Sequence, residues 1–112
     1  MRSERMNRVW FKGEMKEAIL AGKKTATTRS HALPLGENQA VSGSRFKAEP
    51  FAILNVTDRF PTTLENVIRM FYREESFQSP DDMVRFLTKE RLLLKTQGSV
   101  YFHRFVLVRA IQ

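Results

Sequence analysis

The junction at Gly22 constrains this chain more than any other feature. Ahead of it, the segment Glu14 to Ala21 sets Met15, Ala18 and Ile19 on one face at helical spacing. A helix of this kind should stop at Gly22, because glycine takes the left-handed C′ conformation without a Cβ clash. Behind it runs Lys23-Lys24-Thr25-Ala26-Thr27-Thr28-Arg29, and its β-branched threonines favour an extended strand. Alternation along that strand sends Thr25, Thr27 and Arg29 one way and Ala26 and Thr28 the other. Lys24 stands at the helix-to-strand corner, where its long stem can swing over the polar face. An ammonium, two hydroxyls and a guanidinium then share one edge, which makes an anion-binding surface. An ordinary solvated strand face has the same composition, and lysines suit the negative end of a helix in any case.

With 112 residues, the chain reads as one domain, residues 1–112, with residues 1–7 as a poorly ordered lead-in. Nine phenylalanines and an apolar content of 42% are enough to anchor a packed core. The net charge is +7, and residues 1–50 carry ten Lys/Arg against five Asp/Glu while residues 51–112 carry nine against seven. The excess lies in the half that holds the glycine-lysine-threonine run. Attraction to polyanions, nucleic acid first, is the expectation, although many small proteins are simply basic. There is no cysteine, which excludes disulfides, thiolate nucleophiles and cysteine-based zinc sites. The first eight residues are basic but have no apolar stretch behind them, unlike a signal peptide. No segment approaches the length of a membrane span. A cytoplasmic location with no membrane partner and no cofactor follows as the expectation.

Val9-Trp10-Phe11 reads as a first strand, ahead of the Glu14–Ala21 helix and the Thr25–Arg29 strand. Residues 30–44, with Pro34, Gly36, Asn38 and Gly43, read as a loop holding at most one short strand, and a loop beside a basic strand is a candidate ligand lid. Arg45–Lys47 and Phe51–Thr57 look like further strands separated by Pro50. Thr62 and Glu65 have capping-box spacing, and Leu64, Val67, Ile68 and Phe71 continue as a buried helical stripe. A second such helix opens at Ser79-Pro80-Asp81-Asp82 with a serine cap, proline in the first turn and acids at the positive end. Its core face is Met83, Phe86 and Leu87. Gly98 breaks the chain, and Val100–Val108 is a strongly β-prone last strand. Strands at both ends with helices inserted predict an α+β fold on a small curved sheet or barrel.

Taken in order, these residues resemble the ASCH domain family, whose β-barrel is related to the PUA RNA-binding domain. The resemblance rests on Gly22-x-Lys24-x-x-Thr27-x-Arg29, on Gly36-Glu37 before the next strand, and on Glu75-Ser76-Phe77. It covers the chain from about Phe11 to Val108. It implies an α+β fold with a small PUA-like mixed β-barrel, two to three flanking helices, and a cleft that holds RNA or a modified nucleoside. One bacterial branch of similarly small proteins hydrolyses N4-acetylcytidine with a lysine, a threonine and a glutamate. By motif position these are Lys24, Thr27 and Glu75. The chain keeps the fuller Lys24-Thr25-Ala26-Thr27-Thr28-Arg29 form, but its loop after Arg29 is longer than in that branch, and Phe77 replaces another apolar residue. Glu74 adjoins Glu75, so either carboxylate can be the one that faces the cleft.

Three functions stay open at this point: an RNA- or nucleoside-binding module, an N4-acetylcytidine amidohydrolase, and a metal-independent ribonuclease. For amide hydrolysis Lys24 must lose a proton near neutral pH, helped by desolvation or by the cations Lys23 and Arg29. Thr27 then attacks or positions a water, and Glu75 relays a proton to the leaving amine. Lys24 and Glu75 are equally suited to a structural ion pair. Arg29 suits a phosphate or carbonyl, because its planar fork stays charged. Lys23, Thr25, Trp10 and His31 complete the candidate ligand contacts, Trp10 by stacking on a base. His31 and His103 are the only histidines, and neither has a carboxylate at metal-ligand spacing, so no metal site is expected. His103 is read as packed or cleft-lining.

Overall fold

The computed structural model describes residues 6–44, 46–90 and 98–111. Five strands form one sheet in the order β1-β3-β4-β5-β2. These are β1 (Asn7–Trp10), β2 (Ala26–Arg29), β3 (Gly36–Ser42), β4 (Glu49–Thr63) and β5 (Ser99–Ala110), with helices α1 (Gly13–Leu20), α2 (Leu64–Met70) and α3 (Pro80–Lys89) between them. β1 runs parallel to β3, and every other neighbouring pair is antiparallel. The long β4–β5 pair is the spine. Its register shifts at Ile53/Leu54 and Val56/Asp58, and irregularities of this kind bend a strand and strengthen its twist. The sheet curls accordingly into a half-barrel, the small α+β PUA-like fold expected.

Several local expectations need correction. Residues 36–42 form a full interior strand, because polar Asn38 is fully buried and satisfied by Asn7, Pro34 and Gly36. Of the expected Arg45–Lys47 strand, Arg45 lies outside the described residues, while Phe46 and Lys47 sit in a turn, Phe46 being 91% exposed. Pro50 and Pro61 do not divide β4. They fall near its two ends, and Pro61 lies beyond the β3 pairing, where among the described residues only β5 pairs with it, so its missing N–H costs the ladder little. The α2 cap is Thr63, whose hydroxyl accepts from Asn66 N, and Thr62 still belongs to the strand. Of residues 1–7, Asn7 opens β1 and 1–5 lie outside the described residues.

Two cores result. One lies between α1 and the sheet and includes Val9, Phe11, Ile19, Phe51 and Phe105. The other lies between α2, α3 and the far end of β4–β5, around Val67, Met83, Val100 and Phe102, with Phe71 stacked on Phe102 at 4.4 Å. Ser79 caps α3 by accepting from Asp82 N. β2 lies at the sheet edge beside β5, with Ala26 in the second core, and the cleft opens along it.

Candidate functional site

The Gly22 junction sets up the site. Gly22 has φ +78°, and the amides of Gly22 and Lys23 donate to Ile19 and Ala18 carbonyls in the Schellman pattern. Lys24 N donates to the same Ala18 carbonyl, while Thr25 N and Ala26 N both donate to the Glu74 carbonyl at 2.8 and 3.1 Å. The entry to β2 is thereby tied to α1 on one side and to the segment after α2 on the other.

These ties decide where the side chains go. Lys24 does not swing over an exposed edge. It is 4% exposed and donates to Glu75 Oε1 at 2.7 Å, while Thr28 Oγ1 donates to Glu75 Oε2. Thr27 and Arg29 share the opposite face, and Arg29 Nε donates to Thr27 Oγ1 at 3.1 Å. The guanidinium also donates to the Trp10 carbonyl and lies 4.8 Å from the Phe11 ring centroid. Behind β2, His103 is fully buried, with Nδ1 3.2 Å from the Thr27 carbonyl and Nε2 accepting from Leu33 N. Those partners fix its neutral Nδ1–H tautomer. It is packed behind the cleft and does not line it.

Both sets of side chains border one cavity of ≈ 340 Å³. Its polar wall includes Lys24, Thr27, Thr28, Arg29 and Glu75, and its apolar wall includes Phe11 and Met15 on one side and Leu64, Phe77, Met83 and Phe86 on the side of α2 and α3. Trp10 stands at its border, 45% exposed, with its indole N–H on the Gly43 carbonyl. Burial holds the Lys24 amine below the ordinary lysine range; Glu75 opposes that shift and Arg29 adds to it. Burial likewise lowers Arg29, against the attraction of Glu75, and pushes His103 below the ordinary imidazole range.

The structure brings Lys24, Thr27, Glu75, Arg29 and Trp10 to one cavity. It does not bring Lys23, Thr25 or His31 there: all three are exposed, and His31 lies 3.4 Å from the Ser30 hydroxyl. The choice between the two glutamates falls to Glu75, since Glu74 turns outward to Arg104 at 2.7 Å. Thr28 escaped the reading by residues. The signal for it was present, because positions 24, 26 and 28 share a strand face. Leu64, Met83 and Phe86, whose spacing marks helical core faces, also wall the cavity.

No protein-family model and no curated protein sequence matches the chain. Solved structures do. A protein from Enterococcus faecalis V583 of the family DUF984 superposes with a TM-score of 0.67 at 19% identity, over 98% of this chain and 85% of that one. The ASCH protein from Zymomonas mobilis gives 0.64 at 14% identity, over 94% and 71%. The ASCH domain from Lactobacillus crispatus gives 0.61 at 15% identity, over 92% and 79%. The chain therefore has an ASCH-like fold. At these identities the likeness concerns the fold alone. Among the described residues, no helix is long and apolar enough to cross a membrane, and no group of three or more His, Asp or Glu side chains is placed to hold a metal ion.

Proposed function

We propose that the cleft takes a single modified nucleoside and hydrolyses its N4-acyl amide, with N4-acetylcytidine as the substrate to test. The observation that carries this reading is the buried Lys24–Glu75 contact of 2.7 Å on the wall of a ≈ 340 Å³ cavity. That volume is in the range of pockets that enclose small molecules, roughly 300 to 1,000 Å³. The walls suit a base: Trp10 and Phe77 offer ring faces, and the β2 hydroxyls offer hydrogen bonds.

Desolvation favours the neutral Lys24 amine, which can reach that state by passing its proton to Glu75 across their contact. Thr27 Oγ1 borders the same cavity from the opposite strand face; it gives its proton to the neutral amine through a bridging water, and the Arg29 guanidinium stabilises the negative charge that develops. The oxygen attacks the acyl carbon, the C–N4 bond breaks, and protonated Glu75 gives its proton to the departing amine. Water then hydrolyses the threonine ester to release acetate. Phe11, Phe77, Phe86 and the two methionines lower the polarity around these charged partners and strengthen their interactions.

Purified protein incubated with N4-acetylcytidine should release cytidine, and Lys24→Ala should lower the rate by about 10²- to 10⁴-fold, the usual contribution of a positioned acid or base. No cytidine at enzyme concentrations near that of the substrate overturns the reading. The second reading is an RNA-binding module, favoured by the net charge of +7, with a ribonuclease as its catalytic form. RNA affinity that falls steeply with salt supports it, whereas turnover of the neutral nucleoside should barely respond to salt.

A further inference from the structure

Glu74 and Arg104 lie outside the cavity, yet their contacts converge on the segment that presents Glu75. Arg104 Nε donates to Glu74 Oε1 at 2.7 Å and Nη2 donates to Oε2 at 3.3 Å, a two-pronged pair that fixes orientation as well as distance. The hydrogen bonds to Glu74, reinforced by attraction to Asp58, hold the guanidinium above its ordinary pKa. The Arg104 stem is itself held, because the guanidinium carbon lies 5.2 Å from the Phe71 and Phe102 ring centroids. Its backbone pairs with Ala26 across β2 and β5. The Glu74 carbonyl takes both Thr25 N and Ala26 N. Glu74 is thus gripped by side chain from β5 and by main chain at the start of β2, the strand that carries Thr28 and directly follows Lys24. Just beyond, Ser76 has φ +81°, a left-handed conformation that a non-glycine residue adopts when its surroundings impose it. Between these two constraints the chain turns Glu75 inward.

We propose that Arg104 and Glu74 form a positioning clamp: by pinning the 71–77 segment from outside to β5 and to the start of β2, they set the Glu75 carboxylate between Lys24 and Thr28. The clamp rests on the reading of Lys24 and Glu75 as the acid–base pair for its effect on rate, while its effect on the geometry of that pair stands alone. Asp58 supplies the internal comparison. It meets the same Arg104 at 3.2 Å but comes from β4, and its pair does not include the 71–77 segment.

The test uses Glu74→Gln, Arg104→Lys and Asp58→Asn in the full chain, with folding checked by circular dichroism. Two quantities are read: cytidine release, and the titration of the Lys24 side chain by NMR, with Glu75→Gln marking complete loss of the carboxylate. Glu74→Gln should lower kcat by about tenfold with KM within about twofold, since misplacement of a catalytic group by a fraction of an ångström is enough for that. The Lys24 titration should move part of the way toward the Glu75→Gln position. Arg104→Lys, which loses the fork but keeps the charge, should fall between Glu74→Gln and wild type. Asp58→Asn should leave both quantities at wild type. Equal effects from Asp58→Asn and Glu74→Gln overturn the clamp, as does an unmoved Lys24 titration in Glu74→Gln. A wild type that releases no cytidine removes the amidohydrolase reading, and the Lys24 titration still decides the clamp.

Discussion

Glu74 and Glu75 are neighbours in the chain, each 2.7 Å from a cation, and they inhabit opposite worlds. In the Lys24–Glu75 pair the side chains are 4% and 6% exposed; in the Arg104–Glu74 pair they are 37% and 34% exposed. Distance does not distinguish them. Water does. Around Arg104 solvent screens the attraction, so the pair adds little to stability and serves mainly to orient. Around Lys24 little solvent intervenes, and each charge depends on the other to offset its desolvation. Such a pair has the additional option of neutralising by proton transfer, which a solvated pair has no reason to take. Chemistry at the inner pair and alignment at the outer pair are what the two surroundings favour.

Removing one partner at a time sharpens this contrast. Lys24→Met leaves Glu75 buried without its cation, and the expected loss of stability is about 3 to 5 kcal/mol, read from urea denaturation. A loss no larger than that of Arg104→Met breaks the comparison. His103 is a second buried polar group, and pH probes it. Its pKa is lowered on folding by burial, so between the ordinary imidazole value and the lower folded value the unfolded chain binds more protons than the folded one. Its contribution to stability is therefore intact above the ordinary value and is lost as pH falls through that window, by at most about 1.4 kcal/mol per pH unit. Urea midpoints from pH 7 to pH 5 should fall less steeply in His103→Gln than in the wild type. At the bottom of the scale stands the helical-surface pair of Arg85 and Asp82, with side chains 76% and 38% exposed. Arg85→Ala should leave the urea midpoint unchanged within error.

Much of the local structure was legible because it rests on local rules. Ser79-Pro80 starts a helix wherever it occurs before apolar residues at helical spacing, and Gly22 ends one, since each satisfies backbone groups within a few residues. The Leu64, Val67, Ile68 and Phe71 stripe packs inward as its period requires. The failures share a cause. β3 was obscured because Asn38 looks like a loop residue until Asn7, 31 positions away, supplies its partner. The turn at Phe46 looked like a strand because an apolar residue among basic ones says nothing about exposure. Resemblance in the Gly22-x-Lys24-x-x-Thr27-x-Arg29 motif pointed to a fold that solved ASCH structures share.

Within the site, the strand after Gly22, its alternation of faces and the presence of a carboxylate near position 75 were determined by residue types in short windows. Which way Lys24 points was not. That direction is set by the hydrogen bonds from Thr25 and Ala26 to Glu74 and by the burial of Ile19 and Phe102 on either side. The choice of Glu75 over Glu74 depends on Arg104, 30 residues further on. Helix caps and strand periods are written in neighbours; the pKa of a lysine is set by how much water the whole fold removes, and only the assembled molecule decides that.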